Sequence, residues 1–215
     1  RVGRAEPSRM GIAPMARALR EMSSAASRQK TLLLVWHSRT GLAEQMSNAL
    51  ERGAYECARQ MECGERIVVQ RRRASEATAE EVLSASGYLF CAPENLASTS
   101  GEMLEFFHRC YYHMFDAQKG DGRAKTYSES SKLIGRPVGI AVAAGSDGTN
   151  AARQMERICR GWRLNPVAES IINRNGQPQT AQAILAPKTC TEEARQKCEE
   201  LGGLVAASIL LHDEV

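Results

Sequence analysis

Residues 31 to 43 read Thr-Leu-Leu-Leu-Val-Trp-His-Ser-Arg-Thr-Gly-Leu-Ala, and this stretch restricts the possible folds most strongly. The continuous apolar run Leu32 to Trp36 has the pattern of a strand buried on both faces, as in a parallel sheet. It passes through Ser38-Arg39-Thr40-Gly41 into a helix-period pattern at Leu42, Met46, Ala49, Leu50 and Gly53. The loop therefore sits at the carboxyl edge of a sheet, beside a helix N-terminus, with its backbone N–H groups facing outward. Such a place binds anions, typically phosphate. Ser-Arg-Thr-Gly acting only as a helix cap is the other reading, and this loop alone does not separate the two.

The same succession recurs along the chain. Arg66 to Arg71 is a short β-branched run that ends in the basic cluster Arg71 to Arg73, which either meets a cofactor phosphate or is a solvated strand end. Glu76 to Ser84 reads as a short helix, and Gly87 to Ala92 as a third, buried strand. The small and polar residues Pro93 to Gly101 form a second loop before a helix carrying Met103, Phe107, Cys110 and Met114 on one face. Residues 116 to 135 are polar, with Gly120, Gly122 and Gly135, and read as an excursion or an insertion over a site.

Val138 to Ala143 is a fourth strand, followed by a third small-residue loop over Ala144 to Thr149 and a helix with Ala152, Met155, Cys159 and Trp162 in phase. A weak fifth strand near Val167 to Ile172 leads through a loop at Ala186-Pro187 to the last helix. That helix opens with capping-box spacing at Thr189 to Glu192 and places Ala194, Cys198, Leu201, Val205 and Ile209 on one face. Gly202-Gly203 within it would let its back approach the sheet closely. Strands alternating with helices give an α/β fold: a single domain with a doubly wound, parallel, five-stranded sheet in the order 2-1-3-4-5. The general rule for such sheets puts the ligand at the switch point between the first and third strands.

Composition narrows the function. At 215 residues, 43% hydrophobic and 25% charged, the chain has enough core for one domain. Residues 1 to 29 hold six of the arginines against Glu6 and Glu21, a net of +4, so the formal charge of +3 leaves the body at −1. A neutral body indicates no nucleic-acid footprint. The opening segment is read as a disordered or targeting-like extension, with the domain spanning 30–215. Seven cysteines without a C-x-x-C pair, several of them on apolar faces, read as reduced core thiols and point to a reducing, cytoplasmic setting. No apolar run is long enough for a membrane span.

Sharper motifs are missing. There is no G-x-x-x-x-G-K-[ST], no G-x-G-x-x-G and no G-x-S-x-G. His108 and His113 are five apart on one helix, the wrong spacing for a metal pair. A phospho-receiver on such a fold needs clustered carboxylates after the first and third strands, where Trp36-His37-Ser38 and Cys91-Ala92 stand instead.

Three loops in order carry a resemblance. Ser38-Arg39-Thr40-Gly41 looks like the flavodoxin-family phosphate loop, and Pro93-Glu94-Asn95-Leu96 resembles the Pro-Glu-containing second loop of flavodoxin-like NAD(P)H-dependent FMN reductases. Ala143-Ala-Gly-Ser-Asp-Gly148 looks like the third. The similarity covers residues 31 to 211. It implies that Ser38, Arg39, Thr40, Gly41, Leu42 and Ala43 hold the FMN phosphate. Pro93, Glu94, Asn95, Leu96, Ala97 and Ser98, with Gly145, Ser146, Asp147 and Gly148, would line the isoalloxazine ring.

Flavodoxins usually follow Thr-Gly with a polar residue and a second Thr, whereas Leu42 and Ala43 bring no side-chain donors. The near-neutral body also differs from the strongly acidic electron carriers, which favours a reductase. The activity so implied is NAD(P)H-dependent reduction of a quinone, a flavin or a similar small acceptor through bound FMN, with no catalytic side chain and no metal. Electron transfer, or an interaction role with weak or lost FMN binding, is the alternative. An exposed apolar helix face would allow a homodimer.

Overall fold

The computed structural model describes residues 29–115, 131–178 and 180–211. The opening segment up to residue 28 and most of the expected 116–135 excursion lie outside these.

Among the described residues, seven strands form one sheet. β1 (Lys30–Trp36) pairs in parallel with β2 (Ile67–Arg73) on one side and with β3 (Gly87–Asn95) on the other. β3 pairs with β5 (Pro137–Ala144), whose far edge takes two short parallel pieces, β6 (Asn165–Pro166) and β7 (Ile171–Arg174). Setting aside a short hairpin strand that pairs only with β3, and counting β6 and β7 as one interrupted strand, the order is the expected 2-1-3-4-5. The fifth strand is broken where a continuous run from Val167 to Ile172 was expected. The ladder stops after the Val167 N–H donates to the Val138 carbonyl at 3.1 Å, and the chain re-enters the sheet only at Ile171.

The period of two in β1 sorts its side chains between two cores. Leu32, Leu34 and Trp36 join the layer of α1 (Leu42–Gln60) and α6 (Glu192–Leu211). Leu33 and Val35 join the layer of α2 (Ala79–Ser84), α3 (Gly101–Tyr111) and α4 (Thr149–Gly161). Both sets are apolar because helices cover both faces, so the run reads as continuous. α2 starts three residues later than the composition suggests. Thr78 accepts from the Glu81 N–H while the Glu81 side chain accepts from the Thr78 N–H, and that capping box sets the start.

α6 likewise starts at a different cap. Thr191, not Thr189, accepts the Ala194 N–H at 3.2 Å, because residues 188–190 are held against α1. Its glycines also serve another contact than the expected one with the sheet. A Cβ on Gly202 would stand 2.0 Å from the Leu50 carbonyl oxygen of α1. The expected loop from Pro93 to Gly101 is a hairpin instead. β3 runs on to Asn95, turns at Leu96-Ala97 and returns as β4 (Ser98–Thr99).

Candidate functional site

At the carboxyl edge of the sheet, three strand-to-helix connections open onto one cleft of about 610 Å³. Ser38, Arg39, Thr40, Leu42 and Ala43 form one end, Pro93 to Ala97 one side, and Ala143 to Ser146 the floor between β3 and β7. Volumes of about 300–1,000 Å³ are usual for clefts that hold a small ligand.

The first end is built around Gly41, whose φ of +87° makes it the left-handed residue before α1. A side chain would be strained there whatever the space. Its N–H donates to Ser38 Oγ at 3.1 Å, which closes the loop and leaves the Ser38 O–H to donate elsewhere. The first intrahelical bond runs from the Gln45 N–H to the Gly41 carbonyl. Leu42, Ala43 and Glu44 therefore present N–H groups at the positive end of a 19-residue helix.

A wall that sequence reasoning missed lies opposite the hairpin. Asn175, Gln177 and Pro178, the short α5 (Ala181–Leu185) and Lys188 complete the lining. One amide holds this wall to the phosphate-type loop. Gln45 Nε2 donates to the Gly41 carbonyl at 3.1 Å and to the Lys188 carbonyl at 2.8 Å, while Gln45 Oε1 accepts the Cys190 N–H at 3.0 Å. The Lys188 N–H donates to the Thr40 carbonyl at 2.8 Å. Lys188 Nζ closes the end of α5, donating to the carbonyls of Ala183, Ile184 and Ala186. The carboxyl-edge rule applies to the loop after the fifth strand as well, and that was the available signal; no motif marks it.

The hairpin is equally well fixed. Gln154 Oε1, from α4, accepts from Ser98 Oγ at 2.8 Å and from the Thr99 N–H at 2.9 Å, and Asn150 Nδ2 donates to the Ala97 carbonyl. At its tip, Leu96 and Ala97 hold φ values of +53° and +56°, the pattern of a type I′ turn normally made by Asn-Gly. Leu96 is fully exposed, and across the cleft Ile184 and Leu185 are 47% and 76% exposed. Two firmly supported walls thus present aliphatic side chains toward one space. Asn95 belongs to the lining, and its Oδ1 is buried without a hydrogen-bond partner among the described residues.

Not every expected residue lines the cleft. Gly41 shapes the loop from behind, and Ser98 faces α4. Asp147 accepts from Thr149 Oγ1 at 2.6 Å and stands 4.0 Å from Arg174, while Gly148 is the left-handed residue that opens α4. Beside the loop, the buried His37 places Nε2 at 3.4 Å from Glu102. Burial holds its pKa below the ordinary value; Glu102 opposes that shift, and Arg39 and Arg73 add to it. Cys91, beneath α1, donates to the Ala43 carbonyl at 3.3 Å, and burial pushes its pKa well up, so it is no nucleophile for the cleft. Among the described residues no group of His, Cys, Asp or Glu could hold a metal ion, and no helix is long and apolar enough to cross a membrane.

The fold is flavodoxin-like. A flavodoxin from the domain Archaea superposes with a TM-score of 0.59 at 13% identity, covering 83% of this chain and 98% of that one. An oxidoreductase from Corynebacterium diphtheriae gives 0.57 at 16%, covering 86% and 99%. The Flv1 flavodiiron core from Synechocystis sp. PCC6803 gives 0.57 at 16%, covering 94% of this chain but 41% of that one. No protein-family model and no curated protein sequence matches this chain.

Proposed function

We propose that this chain is an FMN-binding oxidoreductase that uses NAD(P)H to reduce a quinone, a flavin or a similar small acceptor in the cytoplasm. The observation that carries this reading is the convergence of the three loops on one cleft with an anion-type end and an aliphatic mouth. The residues fit the cofactor. The free N–H groups at the start of α1, with the Ser38 and Thr40 hydroxyls, suit a phosphate dianion. The orphaned Asn95 Oδ1 offers an acceptor to a polar ring edge.

When bound, FMN supplies hydride and electron transfer, and the protein supplies position and electrostatics. Pro93 to Ala97 and Gly145 to Ser146 would orient the ring, while Leu96, Ile184 and Leu185 would keep water from its faces. No side chain has to act as acid or base. One observation favours a second reading, an interaction or electron-transfer role with weakened FMN binding. Leu42 and Ala43 stand where flavodoxins place hydroxyl donors, and they are almost wholly buried.

Titrating FMN and riboflavin into wild-type protein and Thr40→Ala separates the readings. We expect FMN fluorescence to quench on binding and the melting temperature to rise. Thr40→Ala should cost about ten- to a hundredfold in FMN affinity, the worth of one donor to a charged group, and leave riboflavin unaffected. Absence of FMN binding overturns the oxidoreductase reading. Equal losses for both ligands would show that the loop is not a phosphate site.

A further inference from the structure

The three arginines that end β2 have different surroundings. Arg72 points to the α2 side and pairs with Glu81 at 2.6 Å. Arg71 is half-buried, donates to Ser47 Oγ at 2.9 Å, stands 3.9 Å from Glu51 and holds its guanidinium 4.3 Å from the centre of the Trp36 ring. Arg73 is exposed, and its guanidinium lies 4.6 Å from the centre of the Trp36 ring. Among the described residues it has no carboxylate within ion-pair distance. Arg39, exposed in the loop that follows Trp36, has none either.

Their placement is set by the backbone. Arg73 is the register partner of Trp36, and the Ala74 N–H donates to the Trp36 carbonyl at 2.9 Å, so the end of β2 is tied beside the start of the 38–41 loop. The charges of Arg39 and Arg73 both act on His37. Two guanidiniums on neighbouring strand ends, neither with a carboxylate within ion-pair distance among the described residues, stand next to a helix N-terminus, with Glu102 on His37 as the nearby carboxylate, and make a positive field that an anion would relieve. Arg73 is also preorganised. A guanidinium carbon held over an indole ring is restricted in position while its N–H groups stay free to donate.

We propose that Arg73 and Arg39 form a second anion subsite, on the β2 side of the phosphate loop, which takes a further phosphate group of a nucleotide that carries more than one. Two ligands share that chemistry: a flavin dinucleotide reaching out of the cleft through its pyrophosphate, and a phosphorylated pyridine dinucleotide. The identity of the nucleotide rests on the flavin reading above; anion binding at Arg73 does not.

Inorganic pyrophosphate is the probe, followed by tryptophan fluorescence. Trp36 has the guanidiniums of Arg73 and Arg71 over its ring, and the other tryptophan, Trp162, is buried on the opposite face of the sheet. Wild-type protein should give a saturable change that Arg73→Gln weakens by about tenfold or more, with Arg73→Lys intermediate because charge without the fork is retained. Arg160→Gln, an exposed charge at the end of α4, should change nothing. FMN affinity should stay within about twofold in Arg73→Gln, because a single phosphate occupies only the first site.

Two further ratios identify the source. A loss of FAD relative to FMN in Arg73→Gln points to the flavin pyrophosphate, and a loss of NADPH relative to NADH points to the pyridine nucleotide. Equal losses in Arg73→Gln and Arg160→Gln, or no saturable pyrophosphate response, overturn the subsite. So does an equal loss of FMN and pyrophosphate in Arg73→Gln, which would place Arg73 in the first site. If FMN fails to bind while pyrophosphate still discriminates the variants, the flavin reading falls and the subsite stands. Should Arg73→Gln melt early, Arg73→Lys against Arg160→Gln makes the same comparison.

Discussion

Gly53 of α1 and Gly202 of α6 are where the backbones of the two helices touch. A Cβ on Gly53 would stand 2.0 Å from the Glu199 carbonyl oxygen, and one on Gly202 at 2.0 Å from the Leu50 carbonyl oxygen. The pairing is reciprocal, each glycine meeting the carbonyl one turn before the other. It fixes the axis of the helix whose N-terminus forms the phosphate-type end of the cleft.

An exposed mid-helix Gly→Ala change gains about 1 kcal/mol in helix propensity. Overpacking costs about 1–3 kcal/mol, and here the obstacle is backbone, which cannot rotate away. Gly202→Ala should therefore lose stability by about 2 kcal/mol or more, measured by urea unfolding. Gly203→Ala is the internal comparison, since its Cβ would lie 3.3 Å from the Cys57 side chain and should change stability by less than about 1 kcal/mol. A Gly202→Ala variant as stable as the wild type would show that the helices do not touch here.

Gln45 joins the phosphate-type loop to the far wall through three backbone hydrogen bonds. Gln45→Leu keeps the approximate size and removes all three. At about 1 kcal/mol for each bond, the variant should lose about 2–3 kcal/mol. It should also weaken FMN more than riboflavin, because the Gly41 and Lys188 carbonyls lose the donor that holds the loop. Unchanged ligand ratios would confine Gln45 to stability.

The Leu96-Ala97 turn carries two left-handed residues that are not glycine. Each such residue costs about 1 kcal/mol or more. Ala97→Gly should stabilise the protein, by about 0.5–1 kcal/mol after the extra entropy of the unfolded chain is counted. Leu96→Asn should stabilise similarly but weaken any ligand held between the walls, since it removes the exposed aliphatic side chain. Thermal melting and a flavin titration on the two variants check the opposite signs of these effects.

His37 makes stability depend on pH. Burial, the main cause, lowers its pKa in the folded state, so below the ordinary value near 6.5 the unfolded chain binds more protons than the folded one. This contribution is complete above about pH 6.5 and is lost as pH falls toward the lowered folded value. Glu102 opposes the shift, so Glu102→Gln should lower the pKa of His37 further, as read by NMR titration of its ring. His37→Gln should flatten the stability profile over the same window. A His37 that titrates at its ordinary value in both proteins would sink this account.

The amino-acid sequence by itself determined the alternation of apolar strands with amphipathic helices, and hence the sheet order. Burial on both faces leaves a continuous apolar signature in β1, β3 and β5, and the strand-to-helix turn at Gly41 is local chemistry. Three of the cleft's walls were legible for that reason. The fourth was decided only by tertiary structure. Residues 175–178 and 180–188 carry no motif, and they reach the cleft because the Gln45 amide and the Thr40 carbonyl bind a segment more than 140 residues away in the chain. The hairpin at Leu96-Ala97 was hidden in the same way, its strained turn being held by Gln154 and Asn150 from another helix. So were the roles of the glycines in α6. A Gly202 that meets backbone and a Gly203 that meets a cysteine side chain look alike in sequence, because what distinguishes them is the neighbour each one faces.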